Sequence, residues 1–332
     1  MLAIASHCMA GREMTPPYYD AARVEELLDY RGCIDVVRSA MIALSTGGQP
    51  QPLRQIVAVG PGRLFGVMPG AVGALSTFGA KLASVFEDPD RPGSSRHRGV
   101  VVAYDGQSGS VRCIADAEPI TVVRTACASA AATDALARRD ARTLAVFGTG
   151  AQAHAHVRAI SLIRPLHEVL IWGRSPAKAR ALSERLSREL QITVRPVDQR
   201  TAAAADIVCT VSAAHEPILF GEWVNEGTHV NLVGSSHLGP VEIDVPLLIA
   251  GRYIADYRPS VLAQAAELAV ARAAGVVDDS HVVGDIGQVF AGEIPGRQDA
   301  AQITIYKSLG NVAQDLAAAL YVHRRATSVS NA

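Results

Sequence analysis

The sequence predicts an α/β protein that combines a Rossmann-type, mostly parallel sheet with a separate α+β domain. Three observations predict this. An uninterrupted apolar run, Leu144–Phe147, leads into a glycine-rich turn; strand and helix patterns alternate from Arg142 onward; and antiparallel strand patterns occupy 53–115. A strand buried on both faces is continuously apolar, and alternating strands and helices build parallel sheets.

The stretch Thr143–Ala153, TLAVFGTGAQA, forms the centre of the predicted parallel sheet. Gly148 permits a tight turn, Gly150 lets a pyrophosphate approach the backbone, and Ala153 allows close packing of helix on strand. The helix that follows, 151–163, directs free amides and a partial positive charge at the same place. A lone Gly-x-Gly-x-x-Ala is often only a tight turn, but the flanking strand and helix favour a dinucleotide site.

The N-terminal part predicts two helices followed by an antiparallel sheet. Amphipathic patterns predict helices over 20–30 and 34–45. Strand patterns follow over 49–59, 64–68, 73–86, 99–104 and 111–115. On pattern alone, Arg54 in the first strand faces solvent, whereas Lys81 faces either solvent or a ligand among small, glycine-spaced neighbours.

A helix of small residues, 120–137, leads into the parallel sheet, and Arg124 is its only cation. Arg124 lies near the N-terminal end, where the helix dipole does not favour a cation, so pattern alone makes it a surface residue. The strand at 303–307 and the amphipathic helix at 311–324 lie outside the βα alternation. We therefore expect a first domain of 1–120 and 303–332, and a dinucleotide-binding domain of 121–302.

Further strands and helices of the dinucleotide-binding domain follow the glycine turn. The expected strands are 168–172, 192–196, 207–211, 229–233 and 253–256, and the expected helices are 175–189 and 201–205. The second strand ends in Trp172-Gly-Arg174-Ser175-Pro176, without the acidic residue that holds the ribose hydroxyls of NAD. An arginine suits the 2′-phosphate of NADP, so we expect NADP(H) in preference to NAD(H).

The expected contacts of the cofactor lie in the glycine turn and after the neighbouring strands. They are Gly148, Thr149, Gly150, Ala151, Gln152, Arg174, Ser175, Thr210, Val211, Ser212, Val233, Gly234 and Ser308.

Composition and charge exclude several classes of protein. The 332 residues are 49% hydrophobic and 19% charged, which is enough for two domains with a substantial core. The net charge is −1 with both signs interspersed, so we expect neither nucleic-acid nor membrane binding. Five scattered cysteines without a Cys-x-x-Cys pair indicate reduced thiols in a cytoplasmic protein. The start MLAIASHCMA lacks a signal peptide's positive region, and Met9 and Met14 are alternative starts.

Metal and nucleophile motifs are not found in the sequence. His154 and His156 are two positions apart on a predicted helix, so they point to different faces and cannot chelate one ion. His215, His229 and His237 are dispersed, without the spacing of a zinc site. A GxSxG elbow and a Walker P-loop are also absent. We therefore expect no metal.

A series of motifs in order along nearly the whole chain resembles the ornithine cyclodeaminase/mu-crystallin family. They are Gln51-Pro-Leu-Arg54, Gly66-Val-Met-Pro69, Lys81-Leu with Phe86-Glu-Asp88, Ile120-Thr-x-x-Arg124-Thr-Ala126, Phe147-Gly-Thr-Gly-Ala-Gln-Ala153, Val233-Gly-Ser-Ser236, Glu242-Ile-Asp244, Pro295-Gly-Arg297, and Ile303-Thr-x-Tyr-Lys-Ser308-Leu-Gly310 with Gln314-Asp315. The resemblance implies a homodimer. The N-terminal domain, joined by the C-terminal helix, would bind substrate and carry the subunit interface, and the Rossmann domain would hold the nicotinamide cofactor.

The resemblance also implies the substrate site. The family's carboxylate-binding residues fall on Arg54, Lys81 and Arg124. The resemblance therefore implies that these side chains do not face solvent but surround one anionic group of the substrate. Ornithine cyclodeaminases carry an aspartate at the position of Ser236, where it acts as a base and binds the substrate amine. A serine does neither. Mu-crystallin-like ketimine reductases resemble this chain more closely, since they have serine there.

The leading expectation is NADPH-dependent reduction of a cyclic ketimine or α-imino acid. The candidates are Δ1-pyrroline-2-carboxylate and Δ1-piperideine-2-carboxylate, which would give proline and pipecolate. Lys81 is the expected proton donor, its pKa lowered by neighbouring cations, and Ser236 and Ser308 would hydrogen-bond the nicotinamide or the imine nitrogen. The alternatives are an ornithine or lysine cyclodeaminase, an alanine-type amino-acid dehydrogenase, and a non-catalytic mu-crystallin-like binding protein.

Overall fold

The computed structural model describes residues 15–47, 51–87, 95–235 and 237–330. Within these residues the strands form two sheets, one mainly antiparallel and built from the N-terminal part, the other parallel and built from the rest. The predicted α/β class with a Rossmann-type sheet is therefore confirmed.

The first sheet contains six strands among the described residues. They are β1 (Tyr18–Tyr19), β2 (Gln55–Gly60), β3 (Arg63–Val72), β4 (Thr77–Glu87), β5 (Ser95–Asp105) and β6 (Val111–Asp116). Their order is β1-β6-β5-β4-β3-β2, antiparallel except where β1 joins β6. Arg54 precedes β2 rather than lying within it. The strand expected from Gly73 begins at Thr77 instead, because 73–75 form a 3-10 turn that Ser76 ends in a left-handed conformation.

The second sheet contains eight parallel strands among the described residues. They are β7 (Thr143–Phe147), β8 (Glu168–Trp172), β9 (Thr193–Pro196), β10 (Ile207–Thr210), β11 (His229–Leu232), β12 (Arg252–Ala255), β13 (Val282–Asp285) and β14 (Thr304–Lys307). Their order is β13-β12-β14-β11-β10-β7-β8-β9. The run from β9 to β14 therefore has the 3-2-1-4-5-6 order of a dinucleotide-binding sheet, extended by β12 and β13.

Eleven α-helices lie in the described residues. They are α1 (Ala21–Leu27), α2 (Tyr30–Thr46), α3 (Ala117–Leu136), α4 (Ala151–Ser161), α5 (Pro176–Leu190), α6 (Gln199–Ala203), α7 (Val245–Ala250), α8 (Arg258–Gln264), α9 (Ala266–Ala273), α10 (Ile286–Ala291) and α11 (Val312–Ser330). Helix α2 begins four residues before the predicted start because the Asp29 side chain accepts from the amide of Gly32 and caps the helix there. No described helix is long and apolar enough to cross a membrane.

The expected placement of the strand at 303–307 in the first domain is wrong. Strand β14 pairs with β11 on one side and β12 on the other, in the middle of the parallel sheet. All four of its residues are buried, which requires helices over both faces of the sheet. Helix α11, in contrast, packs on α2, α3 and strands β3 to β6.

Helix α3 is shared by the two parts of the chain. It packs on α2, α11 and β5 on the side of the first sheet, and on α4 and β11 on the side of the second. Small buried side chains, such as those of Ala126, Ala130 and Ala131, permit this close packing. The expected boundary at 120/121 therefore falls inside a continuous helix, because α3 already begins at Ala117.

Candidate active site

The carboxyl ends of four neighbouring parallel strands define the candidate site. Strands β7, β10, β11 and β14 end in register, and the residues directly after them are Gly148, Val211, Val233 and Ser308. The order of the strands reverses direction between β7 and β10. Ligands of doubly wound sheets bind outside the carboxyl ends of the strands at such a reversal.

The glycine turn after β7 has the space and donors that a dinucleotide needs. Gly148 has φ +149°, and a Cβ there would lie 2.9 Å from both Cγ2 and the carbonyl oxygen of Val211. A Cβ on Gly150 would meet no atom within 4 Å, so the space beside the turn is open. Helix α4 begins at Ala151 without a side-chain cap, and its first amides have no acceptor within the helix. These residues fit a bound pyrophosphate.

A positively charged side chain without a partner among the described residues, Arg174, follows β8 beside this turn. Arg174 is exposed and forms no hydrogen bond or ion pair with any described residue. Gly173 packs so closely on Thr149 that a Cβ at 173 would lie 2.6 Å from Cγ2 of Thr149. Ser175 accepts a hydrogen bond from the amide of Lys178 at 3.4 Å and caps α5. Arg174 is therefore free to bind an anionic group near the glycine turn.

The hydroxyl groups of Thr210 and Ser212 are held by Glu242, which sequence analysis did not identify as a site residue. Thr210 Oγ1 lies 2.8 Å and Ser212 Oγ 2.7 Å from the carboxylate, which also accepts from the amides of Ser212 and Gly234 at 2.8 Å. Burial raises the pKa of Glu242. The hydroxyl groups of Thr210 and Ser212 and the amide of Ser212 are thus occupied within the protein, and Glu242 ties together the loops after β10 and β11.

A second buried polar group supports the loop after β11. Lys307 Nζ lies 2.9 Å from Glu267 Oε2 and 2.6 Å from the carbonyl oxygen of Ser235, whose hydroxyl also donates to Glu267. Lys307 is completely buried. Ser236, which we expected at the nicotinamide or imine nitrogen, lies outside the described residues. Lys307 belongs to the predicted strand 303–307, but nothing in the sequence pattern shows that Glu267 is its partner.

Lys81 and Arg124 converge on one buried carboxylate. Lys81 Nζ lies 3.4 Å and Arg124 Nε 3.0 Å from Oδ1 of Asp315. Lys81 also donates to Thr121 Oγ1 at 2.6 Å, and Arg124 donates to Gln314 Oε1 at 2.7 Å. The exposed fractions of Lys81 and Arg124 are 8% and 4%, so the solvent-facing interpretation is wrong for both.

Arg54 joins these cations through the turn before α11. Its guanidinium donates to the carbonyl oxygens of Leu309 and, at 3.2 Å, Gly310. A Cβ on Gly310 would lie 2.7 Å from Nη1 of Arg124, so the same turn touches both arginines. Burial lowers the pKa of Arg54, Asp256 raises it, and Arg124 lowers it. The structure therefore brings Arg54, Lys81 and Arg124 together.

Asp256 fixes the turn that Arg54 and Arg124 contact. Its Oδ2 accepts from the amides of Leu309 at 2.8 Å and Gly310 at 2.6 Å. Burial raises the pKa of Asp256 to about 6, and the hydrogen bonds from these amides and the nearby Arg54 oppose that shift. Asp256 is not recognisable as a site residue from the sequence, because the turn that it binds lies more than 50 positions away.

Lys81 has the electrostatic environment of an acid–base group. Burial lowers its pKa to about 8, Asp315 opposes the shift, and Arg124 and Arg54 reinforce it. The expected effect of the neighbouring cations is thus present, but desolvation is the larger cause. A lysine with a pKa near neutrality both holds and releases a proton under physiological conditions.

The cation cluster lies directly beside the glycine turn. Gln152, in the first turn of α4, donates from Nε2 to the carbonyl oxygen of Thr121 at 3.5 Å, and Thr121 in turn accepts from Lys81. Three buried polar atoms here have no hydrogen-bond partner among the described residues: Oε1 of Gln152, Oγ of Ser308 and Oδ2 of Asp315. Such atoms are uncommon in folded proteins, and three of them close together beside the glycine turn are compatible with a site that a bound molecule completes.

The described residues contain no group of three or more His, Cys, Asp and Glu side chains that could hold a metal. His154 and His156 point to different faces, as predicted. His154 Nε2 lies 2.8 Å from Glu189, whereas His156 is buried between the Gln152 carbonyl oxygen and Ser129 Oγ. Burial lowers the pKa of His156 to about 4, so it is neutral at physiological pH.

Comparison with known proteins connects this geometry to one family. The sequence model of the ornithine cyclodeaminase/mu-crystallin family matches residues 17–330. Ketimine reductase mu-crystallin of Mus musculus is 31% identical over 278 residues, which are 83% of this chain and 85% of that protein. A Delta(1)-pyrroline-2-carboxylate reductase of Bacillus cereus is 29% identical over 78% of this chain and 81% of its own length.

A solved structure extends the similarity to three dimensions. Thermococcus litoralis Delta(1)-pyrroline-2-carboxylate reductase, in complex with NADH and L-proline, superposes with a TM-score of 0.89 at 26% sequence identity. The superposition covers 95% of this chain and 98% of that one.

Proposed function

The chain belongs to the ornithine cyclodeaminase/mu-crystallin family, and from this premise we propose that it reduces a cyclic α-imino acid with NADPH. At the coarser level it is an NAD(P)-dependent oxidoreductase with a nicotinamide cofactor. The proposed substrates are Δ1-pyrroline-2-carboxylate and Δ1-piperideine-2-carboxylate, and the products are proline and pipecolate.

The observation that carries this proposal is the cation cluster beside the dinucleotide turn. Among the described residues, Nη2 of Arg124 and Nη1 of Arg54 donate no hydrogen bond, although other atoms of both groups are fixed. Guanidinium groups held in place in this way bind a carboxylate with good geometry and little loss of entropy. We assign the substrate carboxylate to these two arginines and Lys81.

Binding at this cluster orients the imine for reduction. The bound nicotinamide cofactor supplies the hydride that the imine carbon accepts. Lys81 holds a proton on Nζ and delivers it to the imine nitrogen, so the C=N bond becomes a CH–NH unit with one hydride and one proton consumed. Thr121 and Asp315 fix the direction of Nζ.

The preference for NADPH rests on Arg174. This side chain is exposed, unpaired among the described residues, and located after β8, where NAD-binding units carry an acidic residue. Lys178, in the first turn of α5, adds a second exposed positive charge nearby. Both cations favour the dianionic 2′-phosphate of NADPH over the ribose hydroxyl of NADH.

Reduction is favoured over cyclodeamination by the residue at 236. A cyclodeaminase of this family carries an aspartate there, and Ser236 supplies neither a carboxylate base nor a counter-ion for a substrate amine. The nearest described carboxylate in sequence, Glu242, is occupied by hydroxyl and amide donors. The site therefore offers no replacement for the missing acid within this segment.

We also propose that the first sheet forms a homodimer. Strand β2 exposes Ile56, Val57 and Val59 and is an outer strand of the sheet that the described residues form. Phe65 on β3 and Phe86 on β4 are also more than one-third exposed. An exposed apolar edge strand favours pairing with another strand, and a large apolar patch indicates an interface. A second copy of this chain presents the same surface. In a two-fold symmetric dimer it would pair with the edge strand and cover the apolar patch.

The test of the function is a paired assay on one preparation. NADPH oxidation is followed at 340 nm with each cyclic imine, and ammonia release is followed with ornithine and no added reductant. The proposal predicts turnover with an imine and no ammonia from ornithine. Ammonia release from ornithine, with both imines left unreduced, would identify a cyclodeaminase instead.

A further inference from the structure

Lysine is rare in this chain, and its placement is informative. The sequence contains three lysines, Lys81, Lys178 and Lys307, beside 28 arginines. Lys178 is exposed, whereas Lys81 and Lys307 are buried, and each of these two contacts a buried carboxylate. Arginine keeps its proton under all physiological conditions, but buried lysine gains and loses one readily. Lys81 is the buried lysine that lies in the cation cluster, at a position where an arginine could not release its proton.

The carboxylate beside Lys81 is completely buried and is the only anionic group that the structure places against its ammonium group among the described residues. Asp315 Oδ1 lies 3.4 Å from Lys81 Nζ, and the other charged groups that act on Lys81, Arg124 and Arg54, are positive. Without Asp315, the cations of Lys81, Arg124 and Arg54 would repel one another in a buried site, and Lys81 would strongly favour its neutral form. Desolvation and this repulsion both lower the pKa of Lys81, and Asp315 opposes them.

We propose that Asp315 is the positioning residue that keeps Lys81 charged and directs its ammonium group toward the substrate. Asp315 acts through Lys81 and does not itself touch the reacting atoms. Helix α11 holds the carboxylate in place, since Gln314 and Asp315 both bind Arg124 and thereby lock the first turn of α11 on α3. The remaining oxygen, Oδ2, has no partner among the described residues, so the carboxylate is not neutralised by a further donor.

This role rests on the proposed reductase function, in which Lys81 donates a proton, but its electrostatic part does not require turnover. The small number of lysines allows a direct measurement. Lysine labelled with 13C at Cε gives three resonances in the folded holoprotein, which Lys→Arg substitutions assign one at a time. Titration of each resonance with pH then reports the protonation of Lys81 without any imine substrate.

The proposal predicts a specific set of titrations. Asp315→Asn moves the midpoint of Lys81 to lower pH by about one unit or more, because an opposite charge within 4–6 Å shifts a pKa by ~1–3 units. Asp315→Glu, which keeps the charge, leaves the midpoint much closer to that of the unmodified protein. Asp134→Asn is the matched control, because Asp134 pairs with Arg38 and Arg164 outside the site, and it leaves the Lys81 titration unchanged.

A midpoint that does not move in Asp315→Asn overturns the proposal. If this variant does not fold, Arg124→Gln provides the opposite test. It removes a repelling cation, so Lys81 must titrate at higher pH, and an unchanged midpoint again contradicts the account.

In the active enzyme, the alkaline limb of kcat/KM must shift with the NMR midpoint. A shifted midpoint with an unshifted limb would refute the role in proton donation. Absence of imine reduction in the unmodified enzyme would refute the proposed function, while the titration would still decide the electrostatic claim.

Discussion

Gly310 and Arg124 lie in direct contact, and the contact leaves no room for a side chain on residue 310. Gly310 has φ +80°, and a Cβ there would come within 2.7 Å of Nη1 and 2.9 Å of Nη2 of Arg124. The same turn provides the carbonyl oxygens that Arg54 binds. The position of both arginines therefore depends on a turn that only glycine can form at this point.

Gly310→Ala should impair substrate binding beyond its effect on stability. The left-handed conformation costs a non-glycine residue about 1–2 kcal/mol, and the added methyl group must also displace Arg124. We expect KM for the imino acid to rise about 10-fold or more, with little change in the Kd for NADPH. Gly109→Ala is the matched control: Gly109 has φ +71° and open space around it, so it should lose stability but keep its KM. Equal kinetic effects of the two substitutions would contradict this assignment.

Arg174→Ala should weaken the binding of NADPH and leave that of NADH unchanged. A hydrogen bond to a charged group contributes about 1.5–3 kcal/mol, so loss of the 2′-phosphate contact should raise the Kd for NADPH roughly 10- to 100-fold. Isothermal titration with both cofactors measures this. Arg185→Ala, further along α5 and paired with Glu189, is the control that should change neither affinity. Unchanged NADPH binding in Arg174→Ala would leave the NADPH preference without its structural basis.

The rate of imine reduction should fall at alkaline pH. Burial lowers the pKa of Lys81 to about 8, so the charged donor is complete below this pH and is lost as the pH rises through it. We expect kcat/KM to be level below about pH 8 and to fall about 10-fold per pH unit well above it. Lys81→Arg should be much slower and lack this limb, because guanidinium keeps its proton. If the alkaline fall of kcat/KM persists in Lys81→Arg, another group causes it. Lys178→Arg is the control, and its pH profile should keep the alkaline fall.

Charge on the exposed edge of the first sheet should separate the proposed dimer. Ile56 in β2 is 52% exposed, and Ile249 in α7 is 48% exposed on another part of the chain. We expect Ile56→Glu to shift the mass measured by light scattering from dimer to monomer, because a buried unpaired charge is costly. Ile249→Glu should remain a dimer. A dimer that persists in Ile56→Glu would place the interface elsewhere.

The strands of the parallel sheet were the most predictable part of the fold. Strand β8 has the predicted bounds, Glu168–Trp172, and β7 begins one residue before the predicted start. A continuous apolar run has few alternatives to a strand buried on both faces. Strand β14 shows the limit of this approach. Its four residues predict a strand, but its neighbours, β11 and β12, are fixed only by long-range packing.

The candidate site was predictable in its cations but not in its carboxylates. Arg54, Lys81 and Arg124 were indicated by the motifs in which they occur, and the structure brings them together. Asp256 and Glu242 bind amides in turns and loops, and Asp315 binds Lys81 in β4 and Arg124 in α3; periodicity does not show that these groups meet. A carboxylate in a sequence resembles a solvated surface group until its buried partners are known. Neither their burial nor their hydrogen bonds could therefore be inferred beforehand.

The most direct test of the central claim, reduction of a cyclic imino acid by NADPH, is the transfer of a label between the two molecules. The enzyme is incubated with NADPH deuterated at C4 on each face in turn and with Δ1-pyrroline-2-carboxylate or Δ1-piperideine-2-carboxylate, and the product is analysed by mass spectrometry. The account predicts proline or pipecolate with one deuterium at the α-carbon from one of the two labelled faces. Imines recovered unreduced with both labels, from protein that binds NADPH, would contradict it.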